Sequence, residues 1–198
     1  MARPSKFNRE EAVTFAMNEI WREGYEANSV KALSEKLGIT RSSFYNAFGS
    51  RQALFCEALA LYSSQTPDRA LREATPDMSI KKLLTGTLRT ICKSRSKDPE
   101  ARGCLAVNGV AELCNINNEL GPMLEQAILG SAERIEELLQ WGVANGEIKV
   151  EVDTHALALS LQNLIVGLNV MSKIVRKEAD LWKVAKTTLE GLDLLAEN

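Results

Sequence analysis

Residues 37–54 read LGITRSSFYNAFGSRQAL. Two large apolar residues, Phe44 and Phe48, stand among Thr40, Arg41, Ser42, Ser43, Tyr45 and Asn46. A helix this short does not stabilise itself in water, because nucleation costs more than a few propagation steps return. Neighbouring elements must hold it through the two phenylalanines, which leaves its polar face free for another task.

Working outward, the flanks punctuate a compact unit. A first helix is expected from near Asn8 to Glu23, with Val13, Ala16, Met17 and Ile20 on one face and Gly24 as its C-terminal cap. Ser29 is a good N-cap for a second helix running through Lys36, which Gly38 stops. Thr40 caps the third, and Gly49-Ser50 closes it and starts a fourth carrying Leu54, Phe55, Ala58 and Leu61. A helix, a tight turn with Gly38 and a short polar helix form the helix-turn-helix arrangement. In that motif the second helix enters the major groove while the first crosses the backbone. Ala32, Leu33, Leu37, Ile39, Phe44 and Phe48 then belong to a small core. The hydroxyl, amide and guanidinium groups from Thr40 to Asn46 suit phosphates and base edges. Taken alone, the pattern fits a helical hairpin with a solvated polar face equally well.

The wider stretch FAMNEIWREGYEANSVKALSEKLGITRSSFYNAFGSRQAL separates the two readings, because it resembles the N-terminal domain of the TetR family of transcriptional regulators. The resemblance rests on Gly24-Tyr25, Ser29-Val30, Leu37-Gly38-Ile39-Thr40 and the run from Tyr45 to Arg51, and it covers about residues 8–55. Leu37 replaces the usual Ala and Arg51 the usual Lys, while Ser42 stands where Gly is common. Arg51 keeps its charge beside a helix N-terminus, where backbone N–H groups also favour phosphate. The DNA-binding set expected from this resemblance is Ser29, Lys31, Thr40, Arg41, Ser42, Ser43, Tyr45, Asn46 and Arg51. The resemblance also implies an Ω-shaped homodimer on a palindromic double-stranded operator. A divergent C-terminal helical domain would bind a small-molecule effector that relieves repression.

The rest of the chain suits that plan. Almost every long segment has helical periodicity, so the expected fold is all-α with about nine helices, divided into a helix-turn-helix domain at 1–55 and an effector-binding and dimerisation domain at 56–198. A polar joint with Pro67 and Pro76 spans 65–79, followed by helices near 80–95, from about 103, around 122–144, from Asp153 or Thr154, and near 179–196. Hydrophobic residues make up 45% of the 198, enough for a real core. The net charge of −2 hides an asymmetry: residues 1–55 hold eight Lys/Arg against six Asp/Glu, leaving sixteen against twenty elsewhere. A mildly basic head on an acidic body suits phosphate contact through the head. MARPSKFNREE has no apolar core for a signal peptide, and no run of eighteen apolar residues suggests a membrane span. Cys56, Cys92, Cys104 and Cys114 form no CxxC pair and His155 is the single histidine, so no metal or other cofactor is expected, and the cytoplasm is the expected compartment.

The last two helices are apolar enough to pair with a second copy as a four-helix bundle, which points to Leu161, Ile165, Leu168, Leu181, Leu189 and Leu192 as the interface. The alternative is that both helices fill an internal core. Polar residues within apolar helices mark a candidate effector pocket: Asn108, Gln162 and Asn163, with Asn169 beside them. Cys104 follows Arg102-Gly103 at a helix start, and a guanidinium and a helix N-terminus both favour a thiolate. RGCLAVN is similar to the corresponding segment of the family's electrophile- and oxidant-responsive repressors, which implies Cys104 as sensor and Lys173 as its reaction partner. Sensing by modification of Cys104 therefore stands as the alternative to reversible ligand binding. A helical enzyme with a Cys104 nucleophile is a remote third, since His155 begins a different helix with no carboxylate signature around it.

Overall fold

A computed structural model describes residues 8–196. Its ten helices are α1 (Arg9–Glu23), α2 (Val30–Leu37), α3 (Arg41–Phe48), α4 (Arg51–Gln65), α5 (Arg69–Arg72), α6 (Ile80–Lys97), α7 (Leu105–Leu113), α8 (Leu120–Ala144), α9 (Thr154–Met171) and α10 (Glu178–Gly191), with no strand among the described residues. The head is punctuated by the capping residues themselves. Asn8 accepts from the backbone N–H of Glu10 and Glu11, Ser29 from Ala32, Thr40 from Ser43 and Ser50 from Ala53. Each satisfies donors that a helix start leaves without intrahelical partners.

Three apolar clusters run along the molecule. The head core gathers Ala12, Val13, Ala16, Leu33, Phe44, Phe48 and Leu54. A junction core joins Met17, Ile20 and Tyr25 of the head to Phe55, Leu59 and Tyr62 of α4 and to Leu105, Leu113 and Leu124. The body core packs α6, α8, α9 and α10 around Leu84, Leu88, Ile91, Leu138, Leu161 and Leu189. Because α4 feeds both head and junction, the expected division at residue 55 falls inside one continuous helix.

The expectation of about nine helices misses α5, which lies in the joint read as loop. Leu71 and Ala74 are buried in the body core there, and that burial orders a turn of helix that the local polar composition conceals. The long helix starts at Leu120 rather than Pro122, since a proline in the first helical turn lacks only an N–H that is unpaired there anyway. The last helix stops at Gly191, and Asp193 in the left-handed region (φ 57°) turns the chain so that Leu194 returns to the core.

By length and mean hydropathy (1.2) α9 would suit a membrane span, yet it packs along α8 and against α6 and α10. This packing corrects the proposed interface. Leu161, Ile165, Leu168, Leu181 and Leu189 are buried in the protomer's own core, with Leu192 packed against it. Periodicity marks an apolar helix face, but α9 carries two: Leu159 and Val170 occupy the opposite side and are exposed.

Candidate nucleic-acid interface and body cavity

α3 is held from beneath by Phe44 and Phe48, whose rings meet edge-on at 5.2 Å. Gly38, in the left-handed conformation at φ 66°, ends α2 and lets Thr40 begin α3 within two residues. Everything else on the outer face of α3 points away from the core: Arg41, Ser42, Ser43, Asn46 and Tyr45, which is 51% exposed. The Thr40 and Ser43 hydroxyls hydrogen-bond to each other at 2.9 Å at the start of this face. Arg41 has no ion-pair partner among the described residues, so its charge is available.

Four members of the expected set have structural work in the free chain, Thr40 among them as the N-cap of α3. The Ser29 hydroxyl caps α2, and Lys31 lies 3.9 Å from Glu35. Arg51 stacks 3.9 Å over the Tyr25 ring and donates to the Tyr25 carbonyl and to Glu26, which braces the turn after α1. The outward face therefore rests chiefly on Arg41, Ser42, Ser43, Tyr45 and Asn46.

The head is tied to the body by polar bonds across the junction. The Glu112 carboxylate of α7 accepts from the backbone N–H of Tyr25 at 2.9 Å and of Glu26 at 2.8 Å. Trp21 donates its indole N–H to the Gly103 carbonyl at 3.2 Å. Arg102 lies 3.8 Å over the Trp21 ring, donates to Asn18 at 3.0 Å and pairs with Asp98. Burial raises the Asp98 pKa, but hydrogen bonds from Arg102 and its charge outweigh that and hold the carboxyl below its ordinary range.

Within the body, α4, α5, α6, α7, α8 and α9 line a cavity of about 290 Å³. Tyr62, Arg95, Cys104, Gln162 and Asn169 line it among apolar neighbours including Leu59, Ile91 and Ile165. Arg95 donates through Nε to Asn169 Oδ1 at 2.6 Å and through Nη2 to the Tyr62 hydroxyl at 2.8 Å. Burial pushes the Tyr62 phenol far up, so it stays neutral and keeps its proton for a further bond. Ser131 donates to Gln162 Oε1 at 3.0 Å on the opposite wall.

The predicted sensor residues are not gathered in one place. Cys104 and Gln162 line this cavity, whereas Asn108 and Lys173 line a second, polar one with Trp21, Arg102 and Glu112. Asn163 lies on the exposed face of α9. Cys104 is the N-cap of α7, as expected, but the guanidinium of Arg102, a residue of the second cavity, donates to Asp98 and Asn18 and lies over Trp21. His155 is exposed and paired with Glu136 at 2.8 Å, beside a hollow that Cys104 does not line. A base for a Cys104 nucleophile is therefore not supplied by that histidine. Sequence reasoning missed Tyr62 and Arg95. A signal for Arg95 was present, since it continues the buried stripe Ile80, Leu84, Leu88 and Ile91 at spacings of three and four.

This architecture of head, junction and cavity-bearing body agrees with comparison against known proteins. A model of the tetracyclin repressor-like C-terminal domain matches residues 82–188, and one of bacterial regulatory proteins of the tetR family matches residues 13–58. The chain belongs to the TetR family. Among its TetR relatives, the HTH-type transcriptional repressor ComR of Escherichia coli (strain K12) is 26% identical over 190 residues, 94% of this chain and 90% of ComR. The TetR family regulator CifR, solved as a cysteine mutant complexed with 26-bp double-strand operator DNA, is 29% identical with a TM-score of 0.84. That alignment covers 96% of this chain and 100% of CifR. As a TetR protein, the chain is a DNA-binding transcriptional regulator.

Proposed function

We propose that two copies of this protein grip a palindromic operator in the cytoplasm through the outward faces of α3 and repress transcription until a small effector occupies the body cavity. The observation that carries this reading is the exposed polar face of α3 over the buried Phe44 and Phe48. A short helix with no apolar reason to be displayed is presented by a head whose α1 also contacts the cavity wall. Trp21 meets Tyr62 edge-on at 4.9 Å, so the cavity and the head share a packed contact. The second copy docks on the outward apolar residues of α9, Leu159 and Val170, with Leu129 of α8, all exposed and none in the protomer's core.

Operator binding by α3 variants tests the reading. Arg41→Ala should weaken binding to every sequence and lower the salt slope by about one phosphate contact. Asn46→Ala should cost about 1–3 kcal/mol on the operator and little on unrelated DNA. Titrations at several salt concentrations measure both, and wild-type slopes and operator affinity in these variants would remove α3 from the interface.

A further inference from the structure

The body cavity holds a buried cation without a counter-ion. Arg95 is 5% exposed, and its partners are the Asn169 amide and the Tyr62 hydroxyl, both neutral. Among the described residues no carboxylate lies within ion-pair distance of it. The other charged groups on the wall are already engaged: Asp68 pairs with Arg72, and Arg134 pairs with Glu137 while donating to the carbonyls of Leu71 and Ala74. The faces of Trp21 and Tyr62 lie 5.8 and 6.0 Å from the Arg95 guanidinium, and such contacts polarise around a charge without cancelling it. A buried charge is costly unless it is paired as well as hydrogen-bonded. An arginine that is hydrogen-bonded, unpaired and open to a cavity is completed by an anion arriving from outside the chain.

The remaining wall limits what carries that anion. Leu59, Ile91 and Ile165 are apolar, and about 290 Å³ is at the small end of ligand cavities. Gln162 and Tyr62 add neutral hydrogen-bonding groups. We propose that the effector is a compact amphiphilic monoanion, a carboxylate on one ring or a short chain, whose charged group pairs with Arg95 while its apolar body fills the space toward Ile165. This rests on the reading of the cavity as the effector site. Guanidinium geometry favours a planar carboxylate, which accepts two parallel N–H bonds. Because Arg95 also holds Tyr62, and Tyr62 packs on Trp21, pairing at this guanidinium pulls on the contact leading to the head.

The experiment compares matched probes on the full-length protein: benzoate against benzamide and hexanoate against hexanamide, read by thermal shift and by operator release. In the wild type the carboxylates should bind on the order of tenfold more tightly than the amides. The preference should fall to parity in Arg95→Gln and survive, reduced, in Arg95→Lys. Equal binding of acid and amide by the wild type, a preference that persists in Arg95→Gln, or no binding of either carboxylate at millimolar concentration would each overturn the proposal. The wild-type comparison needs no variant, so it decides even if Arg95→Gln fails to fold. Operator binding without probe is measured in parallel. A carboxylate preference with no loosening of DNA would leave the anion site standing and sink only the effector reading.

Discussion

Leu189→Glu is expected to abolish folding, whereas Val170→Glu is expected to leave a folded protein that no longer dimerises. Leu189 is fully buried in the body core, 0% exposed, among apolar side chains. A carboxylate there loses its hydration, or takes up a proton, at a cost of several kcal/mol. The loss of leucine packing adds about 2–5 kcal/mol. Together these rival the whole stability of a domain, about 5–15 kcal/mol. Val170 lies on the other side of the next helix in the core and is 50% exposed. Glutamate there is solvated in a single protomer and becomes buried and unpaired only against a second copy. Circular dichroism and sedimentation separate the two outcomes. A folded Leu189→Glu protein would contradict the packing of α10, and a wild-type dimer of Val170→Glu would move the interface away from this face.

The second large effect is expected at Gly103. Its φ is +70°, a region costing an L residue about 1–2 kcal/mol, and an added Cβ would sit 2.7 Å from the Asn169 carbonyl oxygen. That oxygen is backbone, so relief requires the end of α9 to move, and overpacking of this kind adds about 1–3 kcal/mol. Gly38 supplies the control, because its φ is +66° but an added Cβ there would meet nothing within 4 Å. Gly103→Ala should therefore lower stability by about 2–5 kcal/mol, and Gly38→Ala by about 1–2 kcal/mol. Chemical denaturation compares them directly. Equal losses at the two positions would show that the α7 entry and α9 are not in close contact.

The head was legible because its instructions are local. Ser29, Gly38, Thr40 and Gly49 mark every boundary within about two helical turns of the residues they organise, and each acts through its own backbone neighbourhood. The body was legible as helices but not as faces. On α9 both sides are apolar, so nothing in the 3.6-residue period distinguishes Leu161, Ile165 and Leu168, which turn inward, from Leu159 and Val170, which do not. The cavity was least visible, since six helices build it and its unpaired cation comes from α6. Arg102 was expected beside Cys104 because it is two residues away. The chain turns at Gly103, Arg102 lines the second cavity, and the arginine left without an ion pair on the wall that Cys104 shares is Arg95. Sequence proximity is a poor guide to spatial neighbours across a tight turn.

The Glu112 carboxylate has a consequence for hydrogen exchange. It covers the backbone amides of Tyr25 and Glu26, and the second belongs to an exposed turn residue that would otherwise trade its proton with water freely. These two amides are slow only while the head is seated on α7. Their deuterium uptake therefore gauges how often the head lifts, and any ligand that tilts it should speed uptake at this turn while the deep amides of α8 keep their own pace.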